Sequence, residues 1–386
     1  MLKFIYKILI FSFLFILISS YERFYPITID GKKRTYKTMN LIEEDTTIKN
    51  ENTKCTSFDL ITYLVVGGQL TISQGLTISK TVKQSKENYE LSDDFKYGLT
   101  SHIVVIGTNS KVIIENAVIE VDCSYCNAIV ALNGGRVILK NSKIITKQKY
   151  SKGVVALLNS FIDISGDSII MTEGNFSPCL EVDINKGMIE GSSLHLDSKG
   201  EQSPLLNALG DGEMRIEDAR GIAHNSQILV IHGSNNIQLY FSELSCFDNV
   251  QNLDINNLNN GGIVLYKSDD NNYGATELGL TESELNIVDQ NNENIPMFSC
   301  YNTEADITLE NTETNEGHKI FMRAIKEEDS TIFTKINLNI NQIGFKGKII
   351  AEENAQINLK VDPEDLLTND NELIGDVYQS KLYLFY

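Results

Sequence analysis

A short aliphatic run recurs through the middle of the chain at nearly constant spacing. Each run is followed by a turn, a second aliphatic run, another turn and a third run. A repeat of about 20 to 50 residues built from three brief strands is the pattern of a parallel β-helix, in which each unit forms one coil. Six first runs begin at Ile103, Ala128, Gly153, Cys179, Leu205 and Gln227.

The other two strands of each unit can be aligned in the same way. Apolar and polar residues alternate within them, which sends one face inward and the other to solvent. Helical periodicity is confined to residues 40–52. We therefore predict an all-β solenoid with three short strands per coil, about ten coils and very little α-helix. The aligned second strands include residues 112–114, 137–139 and 161–164, and the third strands include residues 118–121, 144–145 and 169–171.

The first twenty residues form a predicted signal peptide. Lys3 and Lys7 give a positive start, residues 8–18 are apolar, and Ser19-Ser20 supplies small residues for cleavage. An uncleaved membrane anchor is the alternative, but a bilayer span needs about 20 apolar residues. The sequence therefore predicts a secreted or cell-surface-associated protein with no integral membrane segment after cleavage.

The remaining chain divides into a lead-in and a single long domain. Residues 21–60 are mixed in character and are predicted to cap the end of the solenoid, because exposed backbone there must be covered. Residues 61–386 are predicted to form one parallel β-helix domain. Polar segments at residues 80–98 and 247–260 interrupt the coils. We expect such excursions to carry any binding function, since the coils are committed to packing.

The chain is acidic. It has 52 acidic and 33 basic residues, for a net charge of −19. Removal of Lys3 and Lys7 leaves the same 52 acidic residues against two fewer basic ones, which makes the mature charge still more negative. Such a surface repels phosphate backbones and anionic membranes, so nucleic acid is excluded as a predicted partner.

Six cysteines are widely spaced, apart from the pair Cys123 and Cys126. This pair follows a predicted strand and leads into the next one, whereas a redox CxxC opens a helix. A local disulfide and two inert thiols both remain open for it. A zinc site would need two further ligands at suitable spacing. The sequence leaves the pairing undetermined for all six, which are Cys55, Cys123, Cys126, Cys179, Cys246 and Cys300.

With the coils aligned, residues 103–361 resemble the exported adhesin-like repeat proteins of the pectin-lyase-like superfamily, whose fold is a right-handed parallel β-helix. The resemblance implies that fold and a surface role without an agreed ligand. Those proteins commonly carry Glu where this chain has Gln227 and His232, so it implies no acidic pair at these positions. The segments that carry the resemblance are Asn133-Gly134-Gly135, Gly174-Asn175-Phe176-Ser177-Pro178, Gly200-Glu201-Gln202-Ser203-Pro204 and residues 225–235.

The charged side chains include several candidate catalytic residues. A calcium-dependent lyase needs clustered carboxylates and a basic residue, and a galacturonan hydrolase needs several Asp on adjacent coils. The doublets Asp93-Asp94 and Asp269-Asp270 are interpreted as solvated loop residues. The remaining carboxylates fall in different strands. Two interpretations of the arginines stay open, a shared basic patch and pairing with nearby acids. The remaining candidates are the acids Asp163, Glu217 and Glu120 and the arginines Arg136, Arg215 and Arg220.

Five histidines remain, and His195 and His224 are the two of interest. Both fall in third strands of adjacent coils, a placement that allows their side chains to lie near each other, although outward-facing ladder residues need no function. A metal site would need a third ligand. Accordingly, no catalytic, cofactor-binding or metal-binding residue is predicted, and no cofactor. The other three histidines are His102, His232 and His318.

The leading functional hypothesis is an exported, non-enzymatic, adhesin-like protein that presents a surface to glycans or to surface proteins. It follows from the predicted signal, the unbroken coils and the lack of clustered catalytic groups. One alternative is a carbohydrate-active enzyme of the lyase or hydrolase type with an unrecognised site. A second alternative is a structural extracellular component.

Overall fold

A computed structural model describes residues 23–29, 31–49, 52–73, 75–82, 93–183, 185–248, 261–266, 274–289, 295–314, 320–326, 333–341, 347–361, 371–375 and 377–379. Several of the predictions above fall outside these residues. They are the signal peptide at residues 1–20, most of the excursions at 80–98 and 247–260, the doublet Asp269-Asp270, and His318. Among the described residues, no helix is long and apolar enough to cross a bilayer.

The described chain is almost entirely β-strand, with one helical turn, α1, at Asp93–Lys96. The strands up to residue 122 are β1 (Arg23–Ile29), β2 (Lys32–Ile42), β3 (Thr46–Ile48), β4 (Thr53–Cys55), β5 (Ile61–Val65), β6 (Gln69–Ser73), β7 (Thr77–Thr81), β8 (Ile103–Ile106), β9 (Lys111–Glu115) and β10 (Val118–Asp122). Those of the middle are β11 (Ile129–Leu132), β12 (Arg136–Lys140), β13 (Lys143–Thr146), β14 (Val154–Leu157), β15 (Phe161–Ser165), β16 (Ser168–Thr172), β17 (Leu180–Asp183), β18 (Met188–Ser198), β19 (Leu206–Gly210), β20 (Glu213–Ala223), β21 (Leu229–Gly233), β22 (Asn236–Tyr240) and β23 (Glu243–Asp248). Those of the C-terminal part are β24 (Ile263–Tyr266), β25 (Thr276–Thr281), β26 (Glu284–Asp289), β27 (Phe298–Tyr301), β28 (Glu304–Glu310), β29 (Glu313–Thr314), β30 (Ile320–Ile325), β31 (Lys335–Asn341), β32 (Gly347–Glu352), β33 (Gln356–Lys360), β34 (Asn371–Gly375) and β35 (Val377–Gln379).

The strands stack as a parallel β-helix, which confirms the predicted fold class. The first strand of every coil joins one sheet of 14 strands, the first sheet, in the order β1-β2-β5-β8-β11-β14-β17-β19-β21-β24-β27-β30-β32-β34. The second and third strands join a second sheet of 21 strands. Of the pairings among described residues, only β1 with β2 is antiparallel. Without β1, the first sheet contains 13 parallel strands (14 − 1), one for each coil. This number is larger than the ten or so coils predicted.

The stack begins earlier than the predicted boundary near residue 61. β2 already pairs in parallel with β5, so much of the lead-in belongs to the solenoid, and only β1 lies across its end. β3 falls inside the segment with helical periodicity. It forms a strand because it pairs with β6, and such tertiary pairing overrides weak local preference.

The interior is filled by the inward positions of each strand. In the first sheet Ile129, Val154, Leu180, Leu206 and Leu229 are fully buried and follow one another in register. Burial of each such side chain contributes about 1.5–3 kcal/mol before the cost of ordering the chain. The turns between second and third strands also stack. They carry left-handed residues, which short polar side chains tolerate well, at Asn116, Asn141, Asp167, Ser193 and Asp218.

Lys80 lies in the interior and not in the predicted excursion. It belongs to β7, its side chain is fully buried, and it follows Cys55 in register. Its ammonium group donates hydrogen bonds to the backbone carbonyls of Phe58 (3.1 Å), Leu60 (2.8 Å) and Thr100 (2.6 Å). Burial lowers the pKa of Lys80 to about 8. This lysine pairs with backbone carbonyls of two turns inside the solenoid, where buried carbonyls need hydrogen-bond partners.

The segment 95–99, the covering segment, overlaps the end of the predicted excursion at 80–98 and lies across the outer face of the first sheet. Tyr97 packs in one apolar cluster with the outward side chains of the early coils, including Val104, Val130 and Val155. Tyr97 also accepts, through its carbonyl, a hydrogen bond of 3.0 Å from the hydroxyl of Tyr36. This covering ends where β17 begins, and the outer face beyond it carries the candidate site.

Candidate functional site

A groove of about 470 Å³ lies on the outer face of the first sheet. It extends from the turn α1 to strand β24 and takes side chains from successive coils. Such a volume is within the range of about 300–1,000 Å³ that is usual for ligand pockets. Its lining residues are Phe95, Tyr150, Lys152, Phe176, Pro178, Glu181, Gln202, Pro204, Asn207, Leu209, Gln227, Val230, Val264 and Tyr266.

One wall of the groove is a stack of aromatic rings at the turn before each first strand. The ring centroids of Tyr125 and Tyr150 are 4.8 Å apart, and those of Tyr150 and Phe176 are 4.6 Å apart, with interplanar angles of 10° and 6°. All three residues have left-handed backbone (φ 60°, 55° and 57°), so each coil presents its ring in the same direction. Phe176 ends the stack and is 36% exposed. Phe95 packs edge-on against Tyr125 at 6.0 Å.

The floor of the groove contains a buried carboxylate, Glu181, which is only 2% exposed. It occupies an outward position of β17, where the preceding coils have Val130 and Val155. One of its oxygens contacts the ammonium group of Lys152, and the other accepts a hydrogen bond of 2.7 Å from Asn207 Nδ2. A carboxylate this deeply buried is retained because both oxygens have partners.

A second carboxylate, Asp183, lies two residues further along β17 and therefore on the same face. Its Oδ2 is 3.0 Å from Lys96 Nζ, so the ion pair joins the covering segment to the sheet. Burial raises the pKa of Asp183, and the negative charge of Glu181 raises it further, while Lys96 opposes this shift.

Two further groups lie near the far end of the groove. The ring of Tyr266 packs against His232 with centroids 4.7 Å apart, and His232 follows Leu209 in register. Burial and the nearby charge of Lys96 lower the pKa of His232, so its imidazole is held neutral. Burial raises the pKa of the Tyr266 phenol. These groups offer hydrogen bonds without formal charge.

The three candidate catalytic carboxylates do not form a cluster. Glu120, Asp163 and Glu217 lie in three different outward rows of the second sheet. Glu120 contacts the ammonium group of Lys147. Asp93 and Asp94 begin α1 and were expected in a loop; the structure does not describe their side chains.

The three arginines do not form one patch either. Arg220 Nε lies 3.9 Å from Glu243, as expected of a surface pair of small energetic value. Arg215 places its guanidinium 5.3 Å from the ring centroid of Tyr240. Arg136 lies between Lys111 and Phe161 in its row of the second sheet.

The structure does not bring His195 and His224 together, although the alignment of the coils allowed it. His195 is opposite Arg220 in the neighbouring coil, so His224 lies four strand positions away. The alignment placed both residues in third strands but did not fix the register between those strands. His224 Nε2 instead lies 3.2 Å from Asp197 Oδ1. His102 is fully buried, and its Nδ1 is 2.6 Å from the hydroxyl of Thr62.

The structure contains a disulfide between Cys123 and Cys126, which is one of the two states that the sequence left open for this CxxC pair. It lies in the turn that carries Tyr125, at the start of the aromatic stack. The thiols of Cys55, Cys179, Cys246 and Cys300 are buried. Burial raises the pKa of Cys179 to about 12.

Sequence reasoning missed the residues that form the groove. Glu181 appeared only as part of an aliphatic run, although Glu181 and Asp183 alternate with the inward Leu180 and Val182. The signal for them was present in the sequence: this coil has acids at the outward positions where the preceding coil has valine and leucine. The aromatic stack also had a signal, since Tyr125, Tyr150 and Phe176 recur 25 and 26 residues apart at one coil position.

Among the described residues, no group of three or more His, Cys, Asp or Glu side chains is placed to hold a metal ion. Comparison of the chain with protein-family models, with curated proteins and with solved structures found no match. The resemblance to the adhesin-like repeat proteins therefore stays a prediction.

Proposed function

We propose that this is an exported, adhesin-like β-helix protein that binds a glycan in the groove on the outer face of its first sheet. The observation that carries the proposal is the combination of exposed aromatic surface with amide and carboxylate groups in one cleft. Phe176 and Tyr150 supply the aromatic wall, and Glu181 and Asn207 supply polar groups on the floor. Sugar rings have apolar faces edged with hydroxyl groups, and this lining is complementary to both.

The polar groups of the groove are held in place before any ligand arrives. Asn207 is oriented by its hydrogen bond to Glu181, and Glu181 is fixed by Lys152. Because Glu181 and Asn207 stand on neighbouring strands of a continuous sheet, little ordering of these two groups is needed on binding. Weak contacts of this kind give useful affinity when several protein copies on one surface bind together.

The proposal is tested by binding of the secreted protein to an immobilised library of glycans. We expect Phe176→Ala to lower affinity about tenfold, equivalent to about 1.4 kcal/mol. Phe241→Ala is the matched control, since Phe241 is also exposed (51%) and also has left-handed backbone (φ 50°) but lies outside the groove. Retention of no glycan, or an equal loss in both variants, contradicts the proposal.

A second candidate function is favoured by the carboxylates of β17. Asp183 has a raised pKa and shares a face with Glu181, and such pairs act as acid and base in glycoside hydrolysis. In this alternative the protein is a carbohydrate-active enzyme. Product release from neutral and acidic polysaccharides, with and without calcium, tests it. Activity that is lost in both Asp183→Asn and Glu181→Gln supports the enzyme, and bound glycan without product supports the adhesin-like function.

A further inference from the structure

We infer that the groove takes the terminal sugars of an uncharged glycan chain. This inference rests on the glycan-binding function proposed above and adds two properties to it, the charge of the ligand and the part of the chain that enters. Both properties follow from the groove itself, the first from its ion pairs and the second from its closed end.

The ion pairs leave the groove without a net charge. Its lining lysine, Lys152, is matched by Glu181, and Lys96, the residue after the lining Phe95, is matched by Asp183. Lys152 Nζ also lies 5.5 Å from the ring centroid of Phe95, which further satisfies its charge. A uronic acid or sulfated sugar entering here would have to compete with a carboxylate already bound to each lysine.

The remaining polar groups are suited to hydroxyls. Asn207, Gln202 and Gln227 line the groove, and an amide group has two N–H donors and an oxygen with two acceptor sites, so it can bond a hydroxyl beside its existing partners. Hydroxyl groups of a neutral sugar also donate and accept, whereas a carboxylate only accepts. The strongly negative chain, with a net charge of −19, adds a long-range repulsion against anionic polysaccharides.

The groove is closed at the end nearer the N-terminus. There the segment 95–99 covers the first sheet, so that Val104 and Val130 are fully buried and Val155 is 1% exposed. Gly98 permits this close approach, because an added Cβ would lie 3.1 Å from Val130 Cβ. A glycan that follows the groove toward this end therefore stops against Phe95, which lines the groove and precedes Lys96, the partner of Asp183. An end of the chain fits such a site, and an internal segment has no exit.

Titration calorimetry of the whole secreted protein tests the charge of the ligand. The probes are neutral trisaccharides of glucose, mannose, galactose and N-acetylglucosamine, with trigalacturonic acid as the acidic counterpart. We expect at least one neutral probe to bind at least tenfold more tightly than trigalacturonic acid. The opposite preference would overturn this inference and leave the glycan-binding function standing. Binding of none of the probes, together with an empty glycan library, would remove that function as well.

A charge variant gives a second measurement of the same property. Glu181→Gln leaves Lys152 with no opposing carboxylate, so we expect trigalacturonic acid to bind about tenfold more tightly. Glu173→Gln is the control, because Glu173 pairs with Lys199 at 3.6 Å outside the groove. Circular dichroism confirms that both variants fold. No gain in Glu181→Gln contradicts the role given to the ion pair.

Chain length tests the closed end. The neutral sugar that binds is supplied as chains of three, ten and about fifty residues, and the number of protein molecules bound per chain is measured. A site for chain ends gives a number that does not change with length. A number that rises in proportion to length shows that internal segments bind, and overturns this part of the inference.

Discussion

The ammonium group of Lys96 lies 3.0 Å from the carboxylate of Asp183. The two residues belong to different parts of the fold: Lys96 ends the helical turn α1 within the first excursion, and Asp183 ends strand β17. Their ion pair is where the covering segment meets the open part of the sheet. Phe95, the residue before Lys96, lines the groove at this end.

Removal of this pair is expected to change the ionisation of Asp183. Its pKa is already raised by burial and by Glu181, and Lys96 is the group that opposes the shift. Lys96→Met should therefore raise the pKa of Asp183 further, as measured by carbon NMR of the aspartate carboxyl groups during a pH titration. Lys199→Met removes a surface partner of Glu173 and should leave the pKa of Asp183 unchanged. An unchanged pKa in Lys96→Met would show that the ion pair is not formed.

Gly98 is expected to be needed for the covering segment. It has φ +76°, and an added Cβ would press on Val130. Gly98→Ala should cost about 1–2 kcal/mol for left-handed backbone and further energy for the contact, and it should weaken glycan binding by displacing Phe95. Gly75→Ala is the matched control, because Gly75 has φ +71° with nothing within 4 Å of the added Cβ. Denaturation midpoints and glycan affinities are measured for both variants. Backbone strain should lower the midpoint of both, whereas only Gly98→Ala should lose glycan affinity. An equal loss of affinity in the two variants would contradict this account.

His102 is expected to make the solenoid sensitive to acid. Burial, with the nearby charge of Lys80, lowers the pKa of His102 to about 3 from its ordinary 6.5. Above pH 6.5 the imidazole is neutral in both states. Between pH 6.5 and 3 the unfolded chain binds the proton and the folded protein does not, so stability falls as pH falls, by on the order of 5 kcal/mol.

The measurement is the urea midpoint between pH 7 and pH 4. His102→Asn should flatten this dependence, while His195→Asn, at an exposed strand position, should keep the wild-type profile. If the two variants show the same pH profile, His102 is not the residue that confers the sensitivity to acid.

The fold was predictable because it repeats. The alternation of residues such as Leu180, Glu181 and Val182 is a local pattern, and recurrence at 25 or 26 residues amplifies it until the coil can be read directly. Periodicity alone also gave the inward rows of the interior. Periodicity gave the wrong prediction at the first coil. There the sequence of β3 has helical periodicity, but the segment forms a strand because it pairs with β6.

The groove was not predictable in the same way, since it depends on where chain segments far apart in sequence meet. Lys96 and Asp183 are separated by 87 positions, and no local pattern indicates that the excursion folds back onto the first sheet. The buried side chain of Lys80 shows the same limit. Its position in a strand alternation predicts an inward direction, but a lysine is expected inside only when carbonyl partners are known to surround it.

The central claim is that a glycan binds on the outer face of the first sheet, beside the aromatic stack. Fluorine NMR of protein labelled with 3-fluorotyrosine tests it most directly, with Tyr150→Phe, Tyr266→Phe and Tyr240→Phe used to assign the three signals. Tyr150 and Tyr266 line the groove, and Tyr240 lies on the second sheet beside Arg215. On addition of a bound neutral oligosaccharide, the account predicts that the signals of Tyr150 and Tyr266 shift and that of Tyr240 does not. A shift of Tyr240 alone, or saturable binding that moves neither groove signal, would contradict it.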